Sequence, residues 1–179
     1  MSASSFVLSG MFSGEFGAIL QQYPALLGVL LPSMNRARES ANHMKTLSNL
    51  RQIGLSVIMH AQAHNDEMPA TLGDTLPYTR SGSVYLSPHS SVSVPEDFQQ
   101  RSPEDQAKWV NANASYIYLR PAGKLRQIKG EVIVAYENPD LVPPGQPIGA
   151  VFGDGHAESL DRARLDALLQ AQNAAPGGL

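Results

Sequence analysis

No cysteine occurs among the 179 residues, which excludes disulfides and thiolate metal sites and leaves the redox compartment open. Charge is scarce: 16% of residues are Asp, Glu, Lys or Arg, against roughly 25% in ordinary soluble domains. The result is a neutral, polar surface rich in Ser, Asn, Gln and Gly, as is common in secreted or surface-exposed proteins. Basic residues are missing before Arg36 and form no block after it. With a net charge of −3, this argues against nucleic acid as a partner. Residues 1–10 hold no Lys or Arg, so they do not read as the basic start of an ordinary secretory signal, and no Ala-x-Ala pattern follows an apolar core. There is no internal repeat and no Gly-x-Ser-x-Gly elbow.

What is present is enough for a core. An apolar content of 42% and this length fit one domain, with room for an extended appendage. The most informative stretch runs from Leu30 through Pro32 to Gly54 and passes from apolar to amphipathic helix without a break. Met44, Leu47, Leu50, Gly54, Val57, Ile58 and Ala61 recur at three- and four-residue steps, while Arg36, Glu39, Asn42, Lys45, Asn49, Gln52 and Gln62 fill the other faces. The pattern ends at His64-Asn65-Asp66, and Pro69 stops any continuation. A helix from Met11 to this point would hold about 54 residues and reach roughly 80 Å, whereas a domain of the remaining residues spans only about 30 Å. The front half therefore needs cover from lipid, sister subunits or another chain.

Beyond Pro69 the chain reads as a small α+β domain. A short turn or helix covers 72–78 and a short strand 83–86. The segment from Ser87 to Gln100 is a surface loop. Ser102 is an N-cap before Pro103 and two acids, opening a helix to about Val110. Strands follow over 114–119, 131–136 and 148–152, and a proline-rich loop covers 137–147. Asp154-Gly155 reads as a type I′ hairpin turn into 156–159. Residues 161–172 make a terminal helix with Leu165, Leu168 and Leu169 inward, and 173–179 fray.

Several of these motifs together resemble the bacterial type IV pilin and type II secretion pseudopilin-like proteins. Gly10 and Met11 fall at that family's processing site, Glu15 at its early glutamate, and Pro32 where it commonly has proline. The stretch Val132 to Glu137, followed by Val151-Phe152-Gly153-Asp154-Gly155-His156-Ala157-Glu158, is similar to the family's LFADGHVE hairpin. The likeness covers Gly10 to about Pro69 and Glu131 to Leu160. Members often carry cysteine at the positions of Thr46 and Ser87, and many carry a histidine where Pro144 stands. The resemblance implies a long N-terminal α-helix packed on a small antiparallel β-sheet. It divides the chain into a leader at 1–10, an apolar helix half at 11–35, a pilin-like globular domain at 36–172 and a tail at 173–179. It also implies that Glu15 neutralises a neighbouring subunit's amine at Met11.

Phe16, Ile19, Leu20, Leu26, Leu27, Val29, Leu30 and Leu31 favour membrane insertion by roughly 4 kcal/mol in all, and Glu15, Gln21, Gln22 and Pro24 offset most of it. The span is marginal. Arg36, Arg38 and Lys45 after the apolar segment would by charge alone keep the C-terminal domain cytoplasmic. The resemblance implies the reverse, an envelope protein with its globular domain extracytoplasmic.

Each candidate site has an ordinary alternative. Asp154 and Gly155 are the residue types a tight hairpin requires. His60 and His64 have the spacing of two zinc ligands, and equally suit the negative end of a helix. His89, His156 and Asp154 or Asp161 can be drawn as a hydrolytic set but lack a serine elbow. Glu137, Asn138 and Asp140 offer oxygens for calcium or belong to a solvated loop. Trp109, Tyr116 and Tyr118 stack sugars or pack the core. The expectation is a non-catalytic pilin- or pseudopilin-like subunit with no cofactor or metal. Its partners are sister subunits and, marginally, a membrane. A membrane-anchored module binding carbohydrate or an envelope protein through the loop from Ser87 to Gln100, or a soluble homodimerising paralogue, are the alternatives.

Overall fold

A computed structural model describes residues 24–174, with side chains from Pro32 onward. The chain divides into two units, Met1–Ala41 and Asn42–Leu179. Helix α1, Pro24–Ala63, contains Pro32, whose missing N–H forgoes one bond to the preceding turn. In the first unit the described side chains, from Pro32 to Ala41, are exposed. Gly10, Met11 and Glu15 lie outside the described residues, as does most of the apolar segment at 11–35. Among the described residues no helix is long and apolar enough to cross a membrane.

The second unit is α+β. Strands β1 (Tyr116–Tyr118), β2 (Ile133–Glu137), β3 (Ile148–Phe152) and β4 (Ala157–Leu160) form one antiparallel sheet in the order β1-β2-β3-β4. Three short helices, α2 (Leu76–Thr79), α3 (Pro103–Asn113) and α4 (Arg162–Ala174), complete it with four 3₁₀ turns. The second half of α1 buries Leu50, Ile53, Val57 and Ala61 with Val134, Ala135 and Val151 of the sheet. Leu165 of α4, with Leu168 and Leu169, packs among Ile133, Ile148, Ala150, Phe152 and Leu160. With a helix on each side, all five residues of β3 are buried. Full burial of each large aliphatic side chain contributes about 1.5–3 kcal/mol.

The helix approaches the sheet closely because two glycines meet it. A Cβ on Gly149 of β3 would stand 2.6 Å from Leu50 Cδ1 and 2.9 Å from Thr46 Cγ2. A Cβ on Gly54 of α1 would stand 2.5 Å from Val151 Cγ2. Helix α1 ends where the sequence indicates, on Asn65 and Asp66 at φ 55° and 67°, with Asp66 N–H donating to Ala61 O at 2.8 Å. These residue types tolerate the left-handed region that closes a helix.

Four sequence expectations are corrected. The stretch 83–86 is not a strand: Gly82–Tyr85 is a 3₁₀ turn. Ser81 and Ser83 bond each other at 2.8 Å, and the Tyr85 hydroxyl turns inward onto Thr75 and Thr79 at 2.7 and 3.0 Å. The buried stripe of α1 includes Asn49 and Ile53, while Met44 points outward, because partners on other elements make Asn49 an interior residue. The terminal helix runs to Ala174, past the expected start of fraying.

The fourth correction concerns the hairpin between β3 and β4. A type I′ turn needs positive φ at both central residues, yet of Gly153, Asp154 and Gly155 only Gly155 has it, at 86°. Gly155 N–H donates to Phe152 O, and Phe152 N–H donates to His156 O, each at 2.9 Å. This is a three-residue loop whose last position is left-handed, the geometry of a turn followed by a glycine bulge. Gly153 adds the extra residue; a Cβ there would lie 2.6 Å from Lys129 O.

Candidate functional site

The most unusual chemistry in the second unit is a carboxylate in its interior. Glu137, at the end of β2, is 1% exposed. Its Oε1 accepts hydrogen bonds from Ser87 Oγ at 2.5 Å and Thr46 Oγ1 at 3.3 Å. Ser87 Oγ in turn accepts His89 N–H at 3.0 Å. Beside it, Asn49 Nδ2 donates to Leu86 O at 3.0 Å and to the Tyr116 hydroxyl at 3.2 Å. Burial, reinforced by the Glu137 carboxylate, pushes the Tyr116 phenol well above its usual range, so it stays protonated. The cluster joins α1, the segment after the Gly82–Tyr85 turn, β1 and β2 through hydrogen bonds alone.

A bulge explains how Glu137 comes to face α1. Ile133 pairs with Phe152 and Ala135 with Val151, so two steps along β2 match one along β3. Ile133 packs with α4, whereas Val134 and Ala135 both join the cluster on the α1 side. Tyr136 then faces α4, and Glu137 returns to α1. In an unbulged strand Ile133 and Glu137 would share a face. The sequence placed Glu137 in a loop with Asn138 and Asp140. Instead Asn138 Oδ1 accepts Asp140 N–H at 3.1 Å, and Glu137 points away from them.

A second polar site lies at the C-terminal end of α1. His60 and His64 stack with ring centroids 4.1 Å apart and planes 12° from parallel, and Tyr78 stands edge-on to His60 at 6.1 Å. His64 Nδ1 bonds the His60 carbonyl at 2.8 Å, and the buried His60 Nδ1 has no partner. Burial and then the neighbouring His64 lower the His60 pKa, with Asp74 and the Glu67 backbone opposing. A parallel stack directs the two imidazole lone pairs side by side rather than toward one point. Among the described residues no group of three or more His, Asp or Glu could hold a metal ion.

These rings line an open groove of about 700 Å³ together with Asp74, Arg80, Gln99 and the start of α3. Arg80 caps α2 in the left-handed region, φ 57° and ψ 11°, where glycine is the usual occupant and an L side chain costs roughly 1–2 kcal/mol. The sequence offered Glu137 only as a loop ligand for calcium beside Asn138 and Asp140, not as an interior carboxylate, and the groove was not legible as a site. The His-x-x-x-His spacing marked one part of its lining, and nothing marked the rest.

The remaining sequence candidates fall elsewhere. Asp154 and Gly155 occupy the hairpin loop, where Asp154 Oδ1 accepts His156 N–H at 3.0 Å and meets His156 Nδ1 at 2.5 Å. Those bonds hold the Asp154 carboxyl below its ordinary range. His156 stacks flat on Phe152 at 4.5 Å, which fixes the loop rather than aiming the imidazole at a hydroxyl. Trp109 packs edge-on to Phe98 at 5.1 Å, Tyr116 is buried, and the Tyr118 hydroxyl donates to Pro69 O at 2.9 Å.

On the solvent side of α1 stand large apolar residues: Met44 is 69% exposed, Leu55 56% and Met59 40%. At 100° per residue these three share one face, opposite Leu50, Ile53 and Val57. Comparison with known proteins finds no match among family models, curated proteins or solved structures.

Proposed function

We propose that this protein is a non-catalytic, pilin- or pseudopilin-like structural subunit of a bacterial envelope filament or secretion apparatus. It associates with sister copies through the long N-terminal helix. The observation that carries this reading is the division of α1 in the second unit: one face is spent on the sheet, and the opposite face keeps Met44, Leu55 and Met59 uncovered. Large apolar residues gathered on one exposed helical face, rather than scattered singly, suit an interaction surface. The antiparallel sheet and the C-terminal Asp-Gly hairpin suit the same architecture. Thr46 and Ser87, the two positions where members of that family often carry cysteine, converge on one oxygen of Glu137. That adjacency is what a shared disulfide or metal site would require.

In this reading the apolar residues before Pro32 seat the chain in the membrane or in a filament core, with the globular unit outside the cytoplasm. Glu15 then pairs with the amine of Met11 on a neighbour, since a buried carboxylate without a cation is costly. The test is association of the full-length chain, by crosslinking and sedimentation in its native membrane, against a Leu55→Glu/Met59→Glu variant. Loss of higher oligomers with an unchanged unfolding transition is the expected result. An undiminished oligomer distribution would remove α1 as the contact. Mass spectrometry of the mature N-terminus gives an independent check: a methylated Met11 is expected, and an intact segment from Met1 to Gly10 would count against pilin processing.

A further inference from the structure

The groove at the end of α1 combines features that neither the core nor the assembly reading uses. Its one strong cation, Arg80, has no hydrogen bond or ion pair for its guanidinium among the described residues, although its backbone pays a steric penalty to hold a side chain at that position. The stacked pair of His60 and His64, with Tyr78 edge-on to His60, supplies the aromatic part of the same lining. The buried Nδ1 of His60 has no partner. Asp74 spends Oδ2 on the Thr71 N–H and hydroxyl, at 2.8 and 3.0 Å, and Oδ1 makes no hydrogen bond. Gln99 stands exposed at the rim. The cavity, about 700 Å³, is of the size that takes small ligands.

A ligand for this set must bring an anion for Arg80, hydroxyls for a carboxylate and an amide, and a flat apolar face for the rings. We propose that the groove binds an acidic sugar, a pyranose carrying a carboxylate. Arg80 takes the carboxylate in a paired contact, the aromatic lining takes the C–H face of the ring, and Asp74 and Gln99 take hydroxyls. A phosphate group satisfies Arg80 equally but leaves the aromatic lining and Asp74 unused.

The experiment is a calorimetric and NMR titration of the full-length protein with a galacturonic acid disaccharide, and with lactose and inorganic phosphate as comparisons. The expected result is saturable uronate binding that shifts the imidazole signals of His60 and His64, with lactose and phosphate each weaker by about tenfold or more. Arg80→Gly, which suits the left-handed cap, is expected to keep or raise the melting temperature while lowering uronate affinity about tenfold. Absence of saturable uronate binding overturns the proposal, as does equal affinity for lactose or phosphate. Unchanged uronate affinity in Arg80→Gly overturns it as well. Failure here leaves association through α1 untouched, because Met44, Leu55 and Met59 do not line the groove.

Discussion

Removing the Ser87 hydroxyl is the sharpest test of the interior carboxylate. Glu137 Oε1 has two protein donors, Ser87 at 2.5 Å and Thr46 at 3.3 Å, and an exposure of 1% leaves little room for water to replace either. A hydrogen bond to a charged group is worth about 1.5–3 kcal/mol, and the shorter contact carries more of it. Ser87→Ala is therefore expected to lower the unfolding free energy by about 2 kcal/mol, and Thr46→Val by about 1 kcal/mol or less. Replacing the acid by Glu137→Gln in the Ser87→Ala background removes the under-paired charge, so part of the loss should return. The double-mutant cycle should show a coupling of about 1–2 kcal/mol. Urea unfolding followed through Trp109, the single tryptophan, which packs on Phe98, reports the transition. The denaturant slope should stay constant while the midpoint moves. A Ser87→Ala midpoint equivalent to a loss under about 0.5 kcal/mol, or strictly additive substitutions, would refute the argument that these hydroxyls hold a buried charge.

Gly149→Ala should cost about 1–3 kcal/mol, because the new Cβ would meet Leu50 Cδ1 at 2.6 Å, whereas Gly145→Ala, with open space around it, should pay only for its φ of 79°; paired urea titrations compare them. His60 titrates below the usual histidine value, so the folded state binds this proton less readily than the unfolded chain does. Stability from this residue is present above the unfolded pKa, near 6.5, and is lost as pH falls through the folded value. NMR titration should place the His60 midpoint below 6.5, and His60→Gln should flatten stability on the acid side of that value; a His60 midpoint at or above 6.5 would contradict it.

The α+β class, the C-terminal end of α1, strands β2 and β3, the capped start of α3 and the inward leucines of α4 were all readable from periodicity and capping chemistry. Those features depend on neighbours a few residues apart. The misreadings concern residues whose environment comes from distant segments. Asn49 looks like a surface residue until Leu86 and Tyr116 supply its partners. Glu137 looks like a loop acid until the bulge at Val134 turns it toward Thr46. The strand expected at 83–86 has the right residues but no strand beside it, and the Tyr85 hydroxyl finds its partners in the core instead. The hairpin was located correctly by Asp154-Gly155, but its type depended on Gly153 and on the Lys129 carbonyl pressed against it. Of the two polar sites, the sequence showed the histidine spacing of one and the acid of the other, but not the distant partners that complete either.

The rims of the sheet favour one direction of growth over another. Its outer strands, β1 and β4, have three and four residues, too short to template a long addition. The outer strand β4 also leaves Glu158 exposed near its centre, so a copy paired with it in parallel register would set like charge against like. Lateral zippering through backbone amides, the route by which exposed sheets turn into fibrils, is thereby discouraged. On the proposed reading, contact between copies falls instead to helix side chains such as Met44, Leu55 and Met59.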